Sequence, residues 1–252
     1  MYLGNKKVCP AIVVKSGYNM KNAYFTENVF TNVDSNGKLT SSETTQGDLV
    51  FTGFKDVGDN VLGSKFRGDS SITNGVIFND LEKISGRKAC NSMFHNCPIK
   101  SVSFKKLKEI SGQEACYIMF WGCQQLSSVS FPELATISGG LACEGMFMYC
   151  TIKSVSFQKL STISGYWALS DMFSGCSYME ELYFPALTTS SFGDINDQFD
   201  YLFDGDTAEI SGNVTVHFPS NLQSTIAGLE GYPTFGGTSG RIVLAFDLPA
   251  TS

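Results

Sequence analysis

Eight cysteines, two histidines and a scatter of tyrosines and tryptophans are the side chains from which a reactive or recognising site could be built in this sequence. Cys97, Cys123, Cys150 and Cys176 recur every 26 or 27 residues, and Cys90, Cys116 and Cys143 recur seven residues ahead of the first three. Such columns would serve as disulfides, as a thiolate metal centre or as packing. Zinc ligands usually come in pairs roughly two to four residues apart, which these are not. Seven residues of helix span about 10 Å, beyond the reach of a disulfide. Leu169 replaces cysteine in the Cys90 column, so a core stack of reduced thiols used as small apolar side chains is expected. Cys9 stands apart, as a free thiol or a partner contact.

The remaining polar chemistry is sparse. His95 and His217 have no second ligand at metal-binding spacing; His95 shares a column with Trp121, Met148 and Ser174, so a solvated residue is expected there. There is no Gly-x-Ser-x-Gly elbow, phosphate loop or His-Glu-x-x-His. Glu180 and Glu181, the nearest pair for glycoside hydrolysis, are neighbours on a strand and would point to opposite faces. The acidic run Asp194, Asp197, Asp200, Asp204, Asp206 and Glu209 lacks the alternation of a calcium loop. No catalytic residue, metal or cofactor is therefore expected. Arg67-Gly68-Asp69 spells a cell-adhesion tripeptide, but in register it matches Asp204-Gly205-Asp206 and reads as a structural element. Tyr117, Trp121, Tyr149, Tyr166, Trp167 and Tyr183 stand where other copies carry polar or small residues. Rings that the core does not demand are typical anchors for sugars and proteins, so these six are the candidate ligand-binding residues. The pairs Ser101/Ser103, Ser128/Ser130 and Ser154/Ser156 form an uncharged face, either a ligand groove or a solvated sheet.

These columns exist because the chain repeats. FNDLEKISGRKACNSMFHNC at 78–97 returns as FKKLKEISGQEACYIMFWGC, FPELATISGGLACEGMFMYC and FQKLSTISGYWALSDMFSGC. A period of 26 or 27 residues predicts a solenoid, in which each copy buries its apolar face against its neighbours. Degenerate copies at either end extend the array to about 58–219, roughly six copies, leaving a β-rich N-terminal segment at 1–57 and a C-terminal cap at 220–252. Within a copy, Val129-Ser130-Phe131 alternates as a short strand, so stacked copies give a parallel sheet with serines outward. Ile-Ser-Gly turns the chain. Ala142, Cys143, Met146, Phe147 and Cys150 then fall on one face of a short helix. Asn221–Gly231 reads as a further short helix, and Arg241–Phe246 as a strand closing the open end of the sheet.

The run Leu126-x-x-Val129-x-Phe131-Pro-x-Leu134-x-x-Ile137, followed by Ala142-x-x-x-Met146-Phe147-x-x-Cys150, resembles the leucine-rich repeats of the BspA type. The resemblance covers about 64–219. It implies an α/β leucine-rich repeat solenoid, with a parallel β-sheet on one face and short helices or turns on the other. It implies adhesins and ligand-binding modules, with no catalytic set to carry over; a second cysteine column and the serine-rich face depart from the pattern. The opening YLGNKKVCPAIVV resembles the beginnings of small prophage-associated structural proteins.

With a net charge of −6 and a pI near 4.9, the chain on average repels phosphate backbones, so no nucleic-acid partner is expected. No apolar run reaches the roughly 20 residues of a membrane span. The apolar stretch Val8–Val14, broken by Pro10, is too short for a secretion signal. The expected function is a non-enzymatic module that recognises a protein or carbohydrate at a cell surface. The alternative is a component of a phage or prophage particle that self-assembles through residues 1–57.

Overall fold

The computed structural model describes residues 2–3, 6–7, 23–25, 47–192, 197–203, 212–237 and 241–251. Cys9, Asp194, Asp204, Asp206, Glu209 and most of the segment expected to mediate self-assembly lie outside them.

β1 (Tyr2–Leu3) and β2 (Lys6–Lys7) form an antiparallel pair, and β3 (Ala23–Phe25) runs antiparallel to β4 (Leu49–Phe51). From β4 onward every pairing between strands is parallel, because each copy stacks on the last in the same direction. The longer strands β6 (Gly75–Phe78), β8 (Ser101–Phe104), β10 (Ser128–Ser130), β12 (Ser154–Ser156), β14 (Glu181–Tyr183), β15 (Val214–Pro219) and β16 (Ile242–Leu248) make one wall. Two-residue strands make a second: β5 (Asp56–Val57), β7 (Lys83–Ile84), β9 (Glu109–Ile110), β11 (Thr136–Ile137) and β13 (Thr162–Ile163). Parallel strand pairs thus occur from Leu49 to Leu248. β16 adds a last parallel strand, and the expected helix near 221–231 is one turn, α1 (Gln223–Ile226).

The third wall corrects the sequence reading, since the Ala-Cys-x-x-Met-Phe-x-x-Cys segments are not helices. Alternate N–H groups donate three residues back and one copy forward. Met146 donates to Cys143 O (3.1 Å) and Cys150 to Phe147 O (3.1 Å), while Cys143 donates to Ala168 O (2.9 Å) and Phe147 to Met172 O (3.0 Å). Every fourth residue is left-handed: Leu141 (φ 56°), Gly145 (φ 59°) and Tyr149 (φ 59°), and likewise Glu114, Ile118 and Gly122. The chain is a run of consecutive tight turns with a period of four, and a helix cannot hold such residues. The misreading has a plain cause. Apolar residues at i, i+1, i+4, i+5 and i+8 suit a period of 3.6 as well as one of four over so short a stretch.

Aromatic ladders fill the space between the walls. Phe78, Phe104, Phe131, Phe157 and Phe184 stack behind the long strands at centroid spacings of 4.6 to 5.6 Å. Phe66, Phe94, Phe120, Phe147 and Phe173 stack behind the turns at 5.3 to 5.9 Å. The glycine of Ile-Ser-Gly is demanded by close approach. A Cβ on Gly112 or Gly139 would overlap the backbone of the corresponding glycine one copy earlier.

Candidate functional site

On the turn wall each four-residue step sends two side chains inward and two away from the core. Tyr117, Trp121, Tyr149, Tyr166 and Trp167 all occupy outward places, whereas Tyr183 lies on β14 of the long-strand wall. Tyr149, Tyr166 and Trp167 are 42%, 40% and 46% exposed. Trp121 and Tyr149 meet edge to face at 5.4 Å, and Tyr166 meets Trp167 at 6.4 Å. Glycines seat two of the rings. The Tyr166 ring lies where a Cβ on Gly140 would be and the Tyr149 ring where one on Gly175 would be, each against the neighbouring copy. Gln113 Nε2 donates to the Tyr166 hydroxyl at 3.1 Å, fixing that ring across two copies. Trp121 is half-buried, with its N–H on Met148 Sδ (3.0 Å), and it stacks on His95 at 4.4 Å.

His95 is therefore not solvated. It is 8% exposed, its Nδ1 is buried without a partner, and burial followed by the Arg67 charge holds its pKa below the ordinary value. Beside the aromatic places lies half-buried Glu144, whose pKa is pushed up to about 7 by burial and then by Asp171 and Glu114. The Tyr117 hydroxyl is raised by burial and the same three carboxylates.

The two cysteine columns differ in a way their spacing does not reveal. All seven described cysteines are free and buried, as expected. The thiols of Cys97, Cys123, Cys150 and Cys176, however, each donate to the carbonyl of Phe66, Phe94, Phe120 or Phe147 in the copy before, at 2.9 to 3.2 Å. Burial pushes Cys97, Cys123 and Cys176 up to about 12, so these are inert donors that tie copies together. Arg67-Gly68-Asp69 sits in the same turn ladder, with Gly68 left-handed (φ 68°) and the Asp69 carboxylate accepting from Ser71 N–H (2.9 Å) and Oγ (2.5 Å).

On the long-strand wall the structure assembles a cluster that the sequence reading missed. His217 on β15 stands between Glu181 of β14 (Nε2 to Oε2, 2.5 Å) and Asp247 of β16 (Nδ1 to Oδ1, 2.9 Å), with the Tyr183 ring stacked on it at 4.3 Å. Its side chain is 13% exposed. Burial opposes the charged ring, but the hydrogen bonds and charges of Asp247 and Glu181 outweigh it, and the pKa is raised. Glu180 points elsewhere, to Lys153 Nζ at 3.5 Å. Pairing in register across three strands far apart in sequence makes the cluster, and only the i+2 spacing of Glu181 and Tyr183 could have hinted at it. Among the described residues no group of three metal-ligating side chains is placed to hold an ion, and no helix is long and apolar enough to cross a membrane.

The model of the BspA type leucine rich repeat region matches the chain in six copies, over residues 59–172 and 87–215. Among solved structures, a leucine-rich repeat protein from Bacteroides ovatus is similar at 20% identity and a TM-score of 0.38, covering 76% of this chain. The chain spans 45% of that protein's structure. No curated protein matches it.

Proposed function

The chain belongs to the BspA-type leucine-rich repeat family, and from that premise we propose that it is a non-enzymatic binding module that recognises a protein or carbohydrate at a cell surface through its turn wall. One observation carries this reading. Tyr149 and Tyr166 are held flat on neighbouring backbone by glycine seats, yet each remains about two-fifths exposed, with Trp167 beside Tyr166. A ring fixed in advance loses little side-chain entropy when a ligand covers its outer face, which is what favours such rings as anchors. Trp121 meets the Tyr149 ring edge to face, and Tyr117 lies on the same wall near Glu144. Tyr183 belongs to the other wall and has no part in it.

The test is binding of the chain to arrays of glycans and extracellular-matrix proteins, with Tyr166→Ala/Trp167→Ala alongside. A second variant, Gly140→Ala, leaves both rings in the sequence but drives the Tyr166 ring from its seat. Binding lost in both, with an unchanged melting temperature, is the expected outcome. Binding undiminished in the double variant would remove the turn wall as the recognition surface.

A further inference from the structure

The long-strand wall is not continuous. β4, β6, β8 and β10 form one ladder and β12, β14, β15 and β16 another, and β10 and β12 make no ladder bonds with each other. The same two copies remain joined on both other walls, at Thr136↔Thr162 and Ile137↔Ile163 and by Cys143 N–H to Ala168 O. The break follows the repeat length. From Cys123 to Val129 is six residues, against five from Cys97 to Val102 and from Cys150 to Val155. Among the four clear copies, this is the one step from a long copy to a short one.

The opening exposes what the wall elsewhere hides. Val76, Val102, Val155, Leu182 and Val216 are at most 2% exposed, but Val129 is half-buried. Above it lies a cleft of about 380 Å³, edged by Ser128, Ser130, Ser154, Ser156 and Gln158. That is within the size range of small-ligand sites, roughly 300 to 1,000 Å³.

We infer that this cleft is a second binding site, one that takes a neutral hexose unit of a glycan. A peptide strand cannot enter the gap. Insertion into a sheet needs about 9.5 Å between the flanking strands, and the Phe131 and Phe157 rings stand 5.6 Å apart, close to the 5.7 Å of Phe184 and Phe218, where the ladder is intact. The occupant therefore lies over the gap. Its polar edges meet serine hydroxyls, each able to donate and accept, and the Gln158 amide, whose Nε2 donates to Ser156 Oγ. One apolar face meets Val129. No acidic or basic side chain lines the cleft among the described residues, so a phosphate or carboxylate would find no countercharge there. A pyranose ring, with one C–H face and a rim of hydroxyls, has this pattern.

The site lies on a different wall from Tyr149, Tyr166 and Trp167, so it goes beyond the turn-wall reading and can fail independently of it. The experiment is titration of the intact chain with neutral glucose-, galactose- and mannose-based trisaccharides, followed by amide NMR shifts and calorimetry. Ser130→Trp is the blocking variant, Ser128→Ala/Ser154→Ala the milder one, and Tyr166→Ala/Trp167→Ala the control. Saturable shifts at 127–131 and 153–158 with at least one sugar are expected. Affinity should fall at least tenfold in Ser130→Trp, at least threefold in Ser128→Ala/Ser154→Ala, and stay unchanged in the turn-wall control. If Ser130→Trp misfolds, the milder pair decides. No response to any neutral sugar from a folded chain, a response untouched by the cleft variants, or binding of unstructured peptides in place of sugars would each overturn the inference.

Discussion

The turn wall and the long-strand wall are built from the same copies, yet one runs unbroken from Asn60 to Gly175 and the other parts between β10 and β12. The turn wall is tied at nearly every step, by backbone bonds one copy forward, by thiol donors and by stacked phenylalanines. The long-strand wall has its own phenylalanine stack, but its backbone ladders are three to five residue pairs long and are missing between β10 and β12. The turn wall therefore sets the pitch of the solenoid, and the strand wall has the freedom to open.

The largest loss of stability is expected at the glycine column, where copies approach most closely. Gly139→Ala places a methyl group in the backbone of Gly112, and neither neighbour can retreat without stretching the adjoining ladders. It is expected to destabilise by more than ~3 kcal/mol, read as failure to accumulate folded chain or as a collapsed denaturant midpoint. Phe120→Ala comes next. Its ring stacks at 5.5 Å between Phe94 and Phe147, and the cavity costs about 3–5 kcal/mol. Phe131→Ala, beside the opening, should cost about 1 kcal/mol less, because the wall there can relax. Equal costs would show that the strand wall also sets the pitch.

The thiols sharpen the same point more gently. Cys123→Ala removes the donor to Phe94 O and is expected to cost about 1–2 kcal/mol. The buried thiols, raised to about 12 at Cys123, should resist a thiol reagent at pH 8 until the chain unfolds. Cys143→Leu, in the column where Leu169 already stands, should be tolerated far better than Cys123→Leu.

How much of this was legible follows from what kind of signal each feature leaves. The array, the strand positions and the buried cysteine columns were readable because they recur in register, and a repeat amplifies weak local preferences. The turn wall was not, because its period of four imitates a helix. The clue lay in Gly68, Asn96, Gly122 and Gly175, residues that favour a left-handed backbone, but Tyr149 in the same column obscures it. The outward rings were legible as places that vary, though the glycine seats of Tyr149 and Tyr166 belong to neighbouring copies. The opening at Val129 depends on an alternation of five and six residues that looks like noise until the ladders are seen. The place of His217 was not legible because its partners lie 36 and 30 residues away on other strands.

Two titrating groups, one on each wall, give smaller effects of the same sign. Glu144 has a folded pKa near 7 against 4.5 unfolded, so the native state holds an extra proton between those values and stability falls as pH rises through them. Glu144→Gln should stabilise by about 1 kcal/mol at pH 8, after allowing for water around a half-buried carboxyl, and do nothing at pH 4.

The smallest expected effect belongs to His217, whose folded pKa is raised above 6.5. The protonated ring satisfies Glu181 from β14 and Asp247 from β16 together, with the Tyr183 ring over its face. Its contribution is complete below the unfolded value and disappears as pH rises through the folded one. A neutral ring keeps one N–H, so one carboxylate then loses its donor. His217→Gln should therefore lower stability by about 1 kcal/mol or less near pH 5.5, since water reaches both carboxylates, and by less at pH 8.5. Urea midpoints across that range read the difference. A deficit that grows with pH would mean that the ring ties β15 to β14 by stacking on Tyr183, and that the end of the strand wall is secured by packing, as the turn wall is.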